Sequence, residues 1–329
     1  MEIKPDRSLA SARAAPATLG LQRGEEVEVR SLAEIRATLD ERGTIDGMPF
    51  MPEMERFAGR RVRVWRRADR VCHDTASTLR RLDDTVFLED LRCDGSAHGG
   101  CQRACLLLWN EAWLRRPAAG TPVPAPAPAS PPAPARELPS PSLQVGASFF
   151  CQSTALLQAS TPLPSWHPDQ YLRDLVTGNL TLGELARSFV ATVGHRVDAL
   201  IARRIRRARP SHTPSESLGL AVGDWIVVKS RAEIEATLDS NQRNRGLEFS
   251  PGMSNFCGRR LRVLQRIDRM IREDTGVMRC LADTVLLENG NCDGFCSRGC
   301  PRSNPLYWRE IWLRRATAPS QTSSAPENS

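Results

Sequence analysis

The sequence predicts a mainly β protein with some α+β character: two small domains in tandem with a helical insert between them. Two observations carry this. Adding 199 to a residue number maps residues 24–116 onto 223–315 without a gap, and 43 of those 93 positions are identical. Within each copy, short runs of alternating apolar and polar residues recur between turn signals, as half-buried strands do. Two copies joined by so long a connection are tandem domains, not a solenoid, which needs three or more stacked units.

Each copy opens on a short alternating run, Glu26–Arg30 and Trp225–Lys229, read as a strand. Ser31-Leu-Ala-Glu34 and Ser230-Arg-Ala-Glu233 follow. They have the form of a capping box, in which the Ser hydroxyl takes an orphan N–H and the Glu reaches back to the cap. Ile35 and Leu39 then share one face, which predicts a helix of about two turns. Arg61–Trp65 and Arg260–Leu264 alternate with period two; Thr85–Leu88 and Thr284–Leu287 read as more fully buried strands. A last strand is expected through Glu111–Arg115, with Trp109/Trp308 and Trp113/Trp312 in the core. Four or five short strands, one helical turn and long loops in about 93 residues suggest an SH3-like β-barrel. A small α+β domain is the competing architecture.

Between the copies, 117–147 is a Pro/Ala-rich linker, extended and unpacked. The helical insert spans 148–212. In it Pro168–Leu175 with Gly178 reads as a short helix with its stop. Thr181-Leu-Gly-Glu184 caps a longer helix with Leu185, Phe189, Val193, Val197, Leu200, Ile201 and Ile205 on one stripe. Residues 1–23 and 316–329 read as tails. The N-terminus shows no basic region followed by an apolar one, and no run of about 18 apolar residues appears, so a cytoplasmic chain without a transmembrane segment is expected.

Ten cysteines in a reducing compartment point to metal ligands or buried thiols before disulfides. A tetrahedral thiolate site needs four sulfurs converging on one point. Cys93, Cys101 and Cys105 lie in one glycine-containing loop, and Cys292, Cys296 and Cys300 in its counterpart; Cys72 and Cys257 are placed to add a fourth sulfur to each. Zinc and an iron–sulfur cluster both accept four thiolates. Cys151 reads as a core thiol of the insert and Cys280 as an incidental exposed one. His98 sits inside the first loop, where it can replace a sulfur, although its alignment with Ser297 argues against a general ligand role; His73 aligns with Arg272 and reads as a solvated strand end.

No Gly-rich phosphate loop, G-x-S-x-G elbow or H-E-x-x-H helix is present. The acidic residues shared by both copies, Asp69/Asp268, Asp84/Asp283, Glu89/Glu288, Asp94/Asp293 and Glu111/Glu310, are expected to pair with arginines on the barrel surface. Net charge is +7, which permits nucleic-acid contact without requiring it. The basic run holding Arg203, Arg204, Arg206 and Arg207 suits phosphates, but cations in a last helical turn are stabilised by the helix dipole alone, and that reading is preferred.

Cys93-Asp-Gly-Ser-Ala-His-Gly-Gly-Cys101 followed by Trp109-Asn-Glu-Ala-Trp-Leu-Arg115 resembles a family of bacterial hypothetical proteins with two Cys-rich repeats. Trp166–Asp174 with Gly178-Asn179, and Tyr307–Arg314, resemble it too. The family's first copy usually carries Cys in its Phe-x-Gly motif; here that residue is Ala58, and Cys257 keeps it in the second copy. Its genes often lie among biosynthetic genes, so the resemblance implies a bacterial accessory protein and supplies no reaction. The resulting expectation is a metal-thiolate protein, with zinc or an iron–sulfur cluster, that binds a partner protein or peptide. A metalloenzyme or iron–sulfur redox component of such a pathway is the alternative, and an RNA-binding protein the third reading.

Overall fold

The computed structural model of the chain describes residues 18–73, 78–118, 143–164, 166–204, 212–294 and 298–317. It is mainly β, with several antiparallel sheets and short helices. In the first copy β1 is Glu26–Val29, β2 Arg61–Arg67, β3 Val71–His73, β4 Thr78–Arg81, β5 Thr85–Arg92, β6 Leu106–Asn110 and β7 Leu114–Arg115. Five of them form a sheet in the order β6-β5-β2-β1-β7. The alternation in β1 works as period two requires: Val27 and Val29 are buried while Glu26 is exposed. A bulge between Val64 and Arg66 bends β2, curling the sheet toward a half-barrel.

Helix α1, Leu32–Thr38, is capped by Ser31 with the full Ser31/Glu34 box. After the first sheet come α2 (Gln152–Ala155), α3 (Asp169–Val176) and α4 (Leu182–Arg204). The first two dock through side-chain amides that stand in for missing backbone partners. Gln152 Oε1 accepts from Leu108 N and its Nε2 donates to Leu108 O, as a neighbouring strand would. Asn179 does the same for Arg67, accepting from its N–H at 2.7 Å and donating to its carbonyl at 3.2 Å. Each amide closes an open position on the sheet without adding a strand. The stripe on α4 is only partly covered, since Phe189 and Val193 are exposed.

The second copy repeats the arrangement: β8 Trp225–Val228, α5 Arg231–Glu235, β9 Arg260–Arg266, β10 Arg269–Ile271, β11 Met278–Cys280, β12 Thr284–Leu287, β13 Trp308–Arg309 and β14 Leu313–Arg315. The sheet order is β13-β12-β9-β8-β14, and its registers are those of the first sheet plus 199: Glu26 faces Arg63 as Trp225 faces Arg262. The bulge recurs between Val263 and Gln265. Each core centres on two buried tryptophans met edge-on by phenylalanine, Phe50 on Trp113 and Phe249 on Trp312. The indole N–H of Trp113 donates to Thr38 Oγ1 and that of Trp312 to Thr237 Oγ1.

Three expectations change. Glu111–Arg115 is not one strand: Glu111–Trp113 forms a 3-10 turn with Asn110 as its cap, and only Leu114–Arg115 is extended. The shared carboxylates are not all on the surface. Glu111 and Glu310 are buried, each paired with an arginine, Arg67 and Arg266, and each accepting the backbone N–H groups just ahead of its copy: Gly20 and Leu21, and Gly219 and Leu220. Leu21 and Leu220, in the Leu-Gly-Leu shared just ahead of the two copies, are buried with them. His73, finally, is buried.

The two copies meet through their cysteine loops. Gln102 Oε1 accepts from Asp268 N and Arg269 N, and Gln102 N donates to Arg269 O. Arg103 reaches Ile271 O and Glu273, while its counterpart Arg302 reaches Cys72 O and the same Glu273. Since 72 + 199 = 271, this is a pseudo-twofold interface. No helix among the described residues is long and apolar enough to cross a membrane.

Candidate metal centre

The loop from Cys93 to Cys105 is closed at its base by Cys93 N donating to Cys105 O at 2.8 Å, and Cys292 N donates to Asn304 O in the second copy at the same distance. Asp-Gly makes the turn inside it. Gly95 has φ +72, and a Cβ there would lie 2.0 Å from the carbonyl oxygen of Cys101; at Gly294 the values are +74 and 2.1 Å from Cys300 O. Only glycine fits, because the backbone of the loop's far end passes where a side chain would stand. Gly95 O then accepts from His98 N and Gly100 N, folding His98 inward.

His98 arrives beside Cys93 and beside Glu53, which sits on the 3-10 turn Pro52–Phe57. Cys93 Sγ lies 3.2 Å from Glu53 Oε1 and 3.4 Å from His98 Nε2; His98 Nδ1 is 3.7 Å from Glu53 Oε1. The three donor groups fall within 4.8 Å of one another, the single such trio among the described residues. Glu53 Oε2 and His98 Nδ1 are buried without a hydrogen-bond partner. Bond lengths of about 2.0–2.3 Å in a tetrahedral zinc site place sulfur, nitrogen and oxygen ligands roughly 3.3–3.6 Å apart. The Cys93–His98 spacing falls in that range, and the Cys93–Glu53 spacing just below it.

The protonation states follow from burial. Burial pushes the Cys93 thiol up, and the Glu53 carboxylate and Cys105 push it further. Burial holds His98 below the usual histidine range, against the pull of Glu53 and Asp94. A neutral imidazole is the form that ligates, and a cation in the centre supplies the charge that turns the thiol into a thiolate.

Behind the trio is a cavity of about 40 Å³, lined also by Cys101, Cys105 and Cys151. One water needs roughly 10–15 Å³ on this measure, so the space suits an ion with a water or two. Burial pushes the Cys105 thiol up to about 11 despite Arg103 and Arg302, and it raises Cys151 as well.

Among the described residues the predicted cysteines are not gathered as a four-sulfur site. No three cysteine sulfurs among the described residues lie within 4.8 Å of one another. Cys93, Cys101 and Cys105 share the cavity; Cys72 lies across the interface against Cys300, with their sulfurs 3.3 Å apart. In the second copy Cys257 and Cys292 are half-buried beside the core, and Cys292 Sγ accepts from Gly294 N. Cys280 is exposed. Cys296, Arg206 and Arg207 lie outside the described residues, as do the side chains of Arg203 and Arg204, which end α4.

Of this centre, Glu53 carries no sequence signal of its own: it is 40 positions from Cys93 and belongs to no motif, whereas His98 is legible as a substitute for a sulfur in the loop. A signal existed nonetheless: Glu53 and His98 are replaced together in the second copy, by Gly252 and Ser297, while the cysteine between them stays. Cys151 likewise reaches the cavity from outside both copies. Comparison of the chain with protein-family models, with curated proteins and with solved structures finds no match in any of the three.

Proposed function

We propose that this is a metal-binding protein whose first copy holds one divalent ion of the zinc type through Cys93, His98 and Glu53. The observation that carries the reading is the trio itself: a sulfur, a nitrogen and an oxygen donor gathered within 4.8 Å of one another, with Glu53 and His98 buried and Cys93 half-buried. Zinc accepts all three donor types. The neighbouring cavity leaves room for a bound water and none for a metabolite, which favours an accessory or regulatory protein over an enzyme acting at the ion. The wider reading, two SH3-like domains serving a bacterial biosynthetic pathway by binding a partner protein or peptide, is supported by the curled five-stranded sheets and the sequence resemblance.

A second reading has its own observation. Cys93, Cys101, Cys105 and Cys151 all line one cavity, and four thiolates are what an iron–sulfur cluster takes.

Elemental analysis and visible spectra of the chain purified without oxygen separate the two. The zinc reading expects about one zinc per chain, no colour, and a thiolate-to-cobalt charge-transfer band after cobalt replacement that vanishes in Cys93→Ser. Iron with acid-labile sulfide supports the cluster. A metal-free chain that takes up no cobalt overturns both.

A further inference from the structure

A second cysteine arrangement lies apart from the metal trio, at the interface between the copies. That interface is crossed twice. At one crossing Cys101 Sγ accepts the backbone N–H of Ile271 at 3.4 Å; at the other Cys300 Sγ accepts the backbone N–H of Cys72 at 3.2 Å. The pseudo-twofold axis makes these the same contact, with one difference. Where the first crossing has the aliphatic Ile271, the second has another thiol, with its sulfur 3.3 Å from Cys300 Sγ. Both backbones are held: Arg302 Nη1 donates to Cys72 O at 2.7 Å, and Gly95's counterpart Gly294 takes the N–H groups of Gly299 and Cys300.

We infer that Cys72 and Cys300 are an oxidisable dithiol that peroxide converts into a disulfide joining the two copies. A disulfide needs the sulfurs at about 2.05 Å, so they must approach by roughly 1.2 Å, a movement within reach of side-chain rotation. The chemistry balances with hydrogen peroxide as the oxidant. The Cys300 thiolate attacks the O–O bond, forming S–O and releasing hydroxide, which takes a proton and leaves as water. Cys72 sulfur, giving up its proton, then attacks the Cys300 sulfenic sulfur; S–S forms, S–O breaks and a second water leaves. Two thiols and one peroxide become one disulfide and two waters.

The surroundings select this pair over the others. Burial opposes ionisation of Cys300, yet hydrogen bonds from the Cys72 thiol and from backbone N–H groups at Arg302 and Cys72, together with the Arg302 charge, outweigh it and lower its pKa. Burial instead raises Cys93, Cys105 and Cys151. Thiolate is the reactive form, and the half-buried Cys72 sulfur stands against it as the resolving thiol. The bond would close a loop across 228 positions of sequence and lock an interface that hydrogen bonds and ion pairs already cross.

The test uses the full-length, metal-loaded chain, reduced and then given one equivalent of hydrogen peroxide. The expected result is the loss of two titratable thiols and a Cys72–Cys300 linked peptide in an unreduced digest, with a higher Tm that reductant reverses. Cys72→Ile copies the residue used at the other crossing and should fold unchanged by circular dichroism. It should abolish the link and slow peroxide-driven thiol loss about tenfold or more, as expected when the second sulfur is gone. Cys72→Ser serves if that variant misfolds. Cys101→Ser and Cys93→Ser should keep the link, which separates this inference from the metal reading. Cys72 and Cys300 remaining alkylatable while other thiols oxidise would overturn it. So would metal loss in Cys72→Ile, which would make the pair a metal site.

Discussion

The two copies share strand order, registers, bulge, capped helix and tryptophan pair, yet at the matching point one carries Glu53, Cys93 and His98 and the other Gly252, Cys292 and Ser297. The frame tolerates both because the loop's shape rests on Gly95 or Gly294 and on main-chain hydrogen bonds, not on the ligands. The fold therefore does not depend on the Glu–Cys–His trio. A scaffold that stands without ligands in one copy is free to hold an ion in the other.

The sharpest way to break this comparison is to exchange the shared cysteine. Cys93→Ser should remove the bound metal altogether, whereas Cys292→Ser should leave the metal-to-protein ratio unchanged by elemental analysis; equal losses would make the copies equivalent.

The next largest effect concerns the buried carboxylates. Glu111→Ala strands Arg67, itself buried, beside Asp69 alone and frees the Gly20 and Leu21 amides; removal of one partner of such a pair costs about 3–5 kcal/mol. Glu310→Ala should cost less, because the Arg266 side chain is about a third exposed and can turn to water. Urea unfolding of the two variants measures the difference, and a larger loss at Glu310 would count against solvent as the reason.

The loop glycines come third. Gly95→Ala and Gly294→Ala should each destabilise the chain by more than the about 1–3 kcal/mol of strain at positive φ, because the added Cβ also meets the carbonyl oxygen of Cys101 or Cys300. Only Gly95→Ala should also weaken metal retention against a chelator, since it moves the segment that carries His98.

The smallest effect lies in the capping boxes. Hydrogen bonds from the Ser31 side chain and backbone hold Glu34 below its usual 4.5, and those from Ser230 do the same for Glu233. A depressed folded-state pKa gives stability that is present above the unfolded value and lost as pH falls through the folded one. Glu34→Gln and Glu233→Gln should therefore lower Tm slightly and equally at neutral pH, and the deficit should shrink toward zero below pH 4.5.

Much of the architecture was legible because it is local. The capping boxes, the Val27/Val29 alternation and the Asp-Gly turns follow from rules acting over two to four residues, and the offset of 199 doubled every signal. The candidate site was legible only in part. Cys93 stood out as a shared cysteine, but Glu53 became a partner only when the 3-10 turn packed against the loop. The helical stripe misled in the opposite sense: period alone put Val193 inward, and nothing covers it.

From sequence alone this is a doubled, mainly β chain with a capped helix and a glycine-containing cysteine loop in each copy. Spacing and backbone conformation are properties of neighbours along the chain. Tertiary structure alone decided which donors meet. It brought Glu53 to Cys93 and His98, Cys151 into the same cavity, and Cys72 to Cys300 across the interface, because only packing sets distances between residues far apart in sequence. It also buried Glu111 and Glu310, whose charges are tolerated inside because an arginine and backbone amides converge on each.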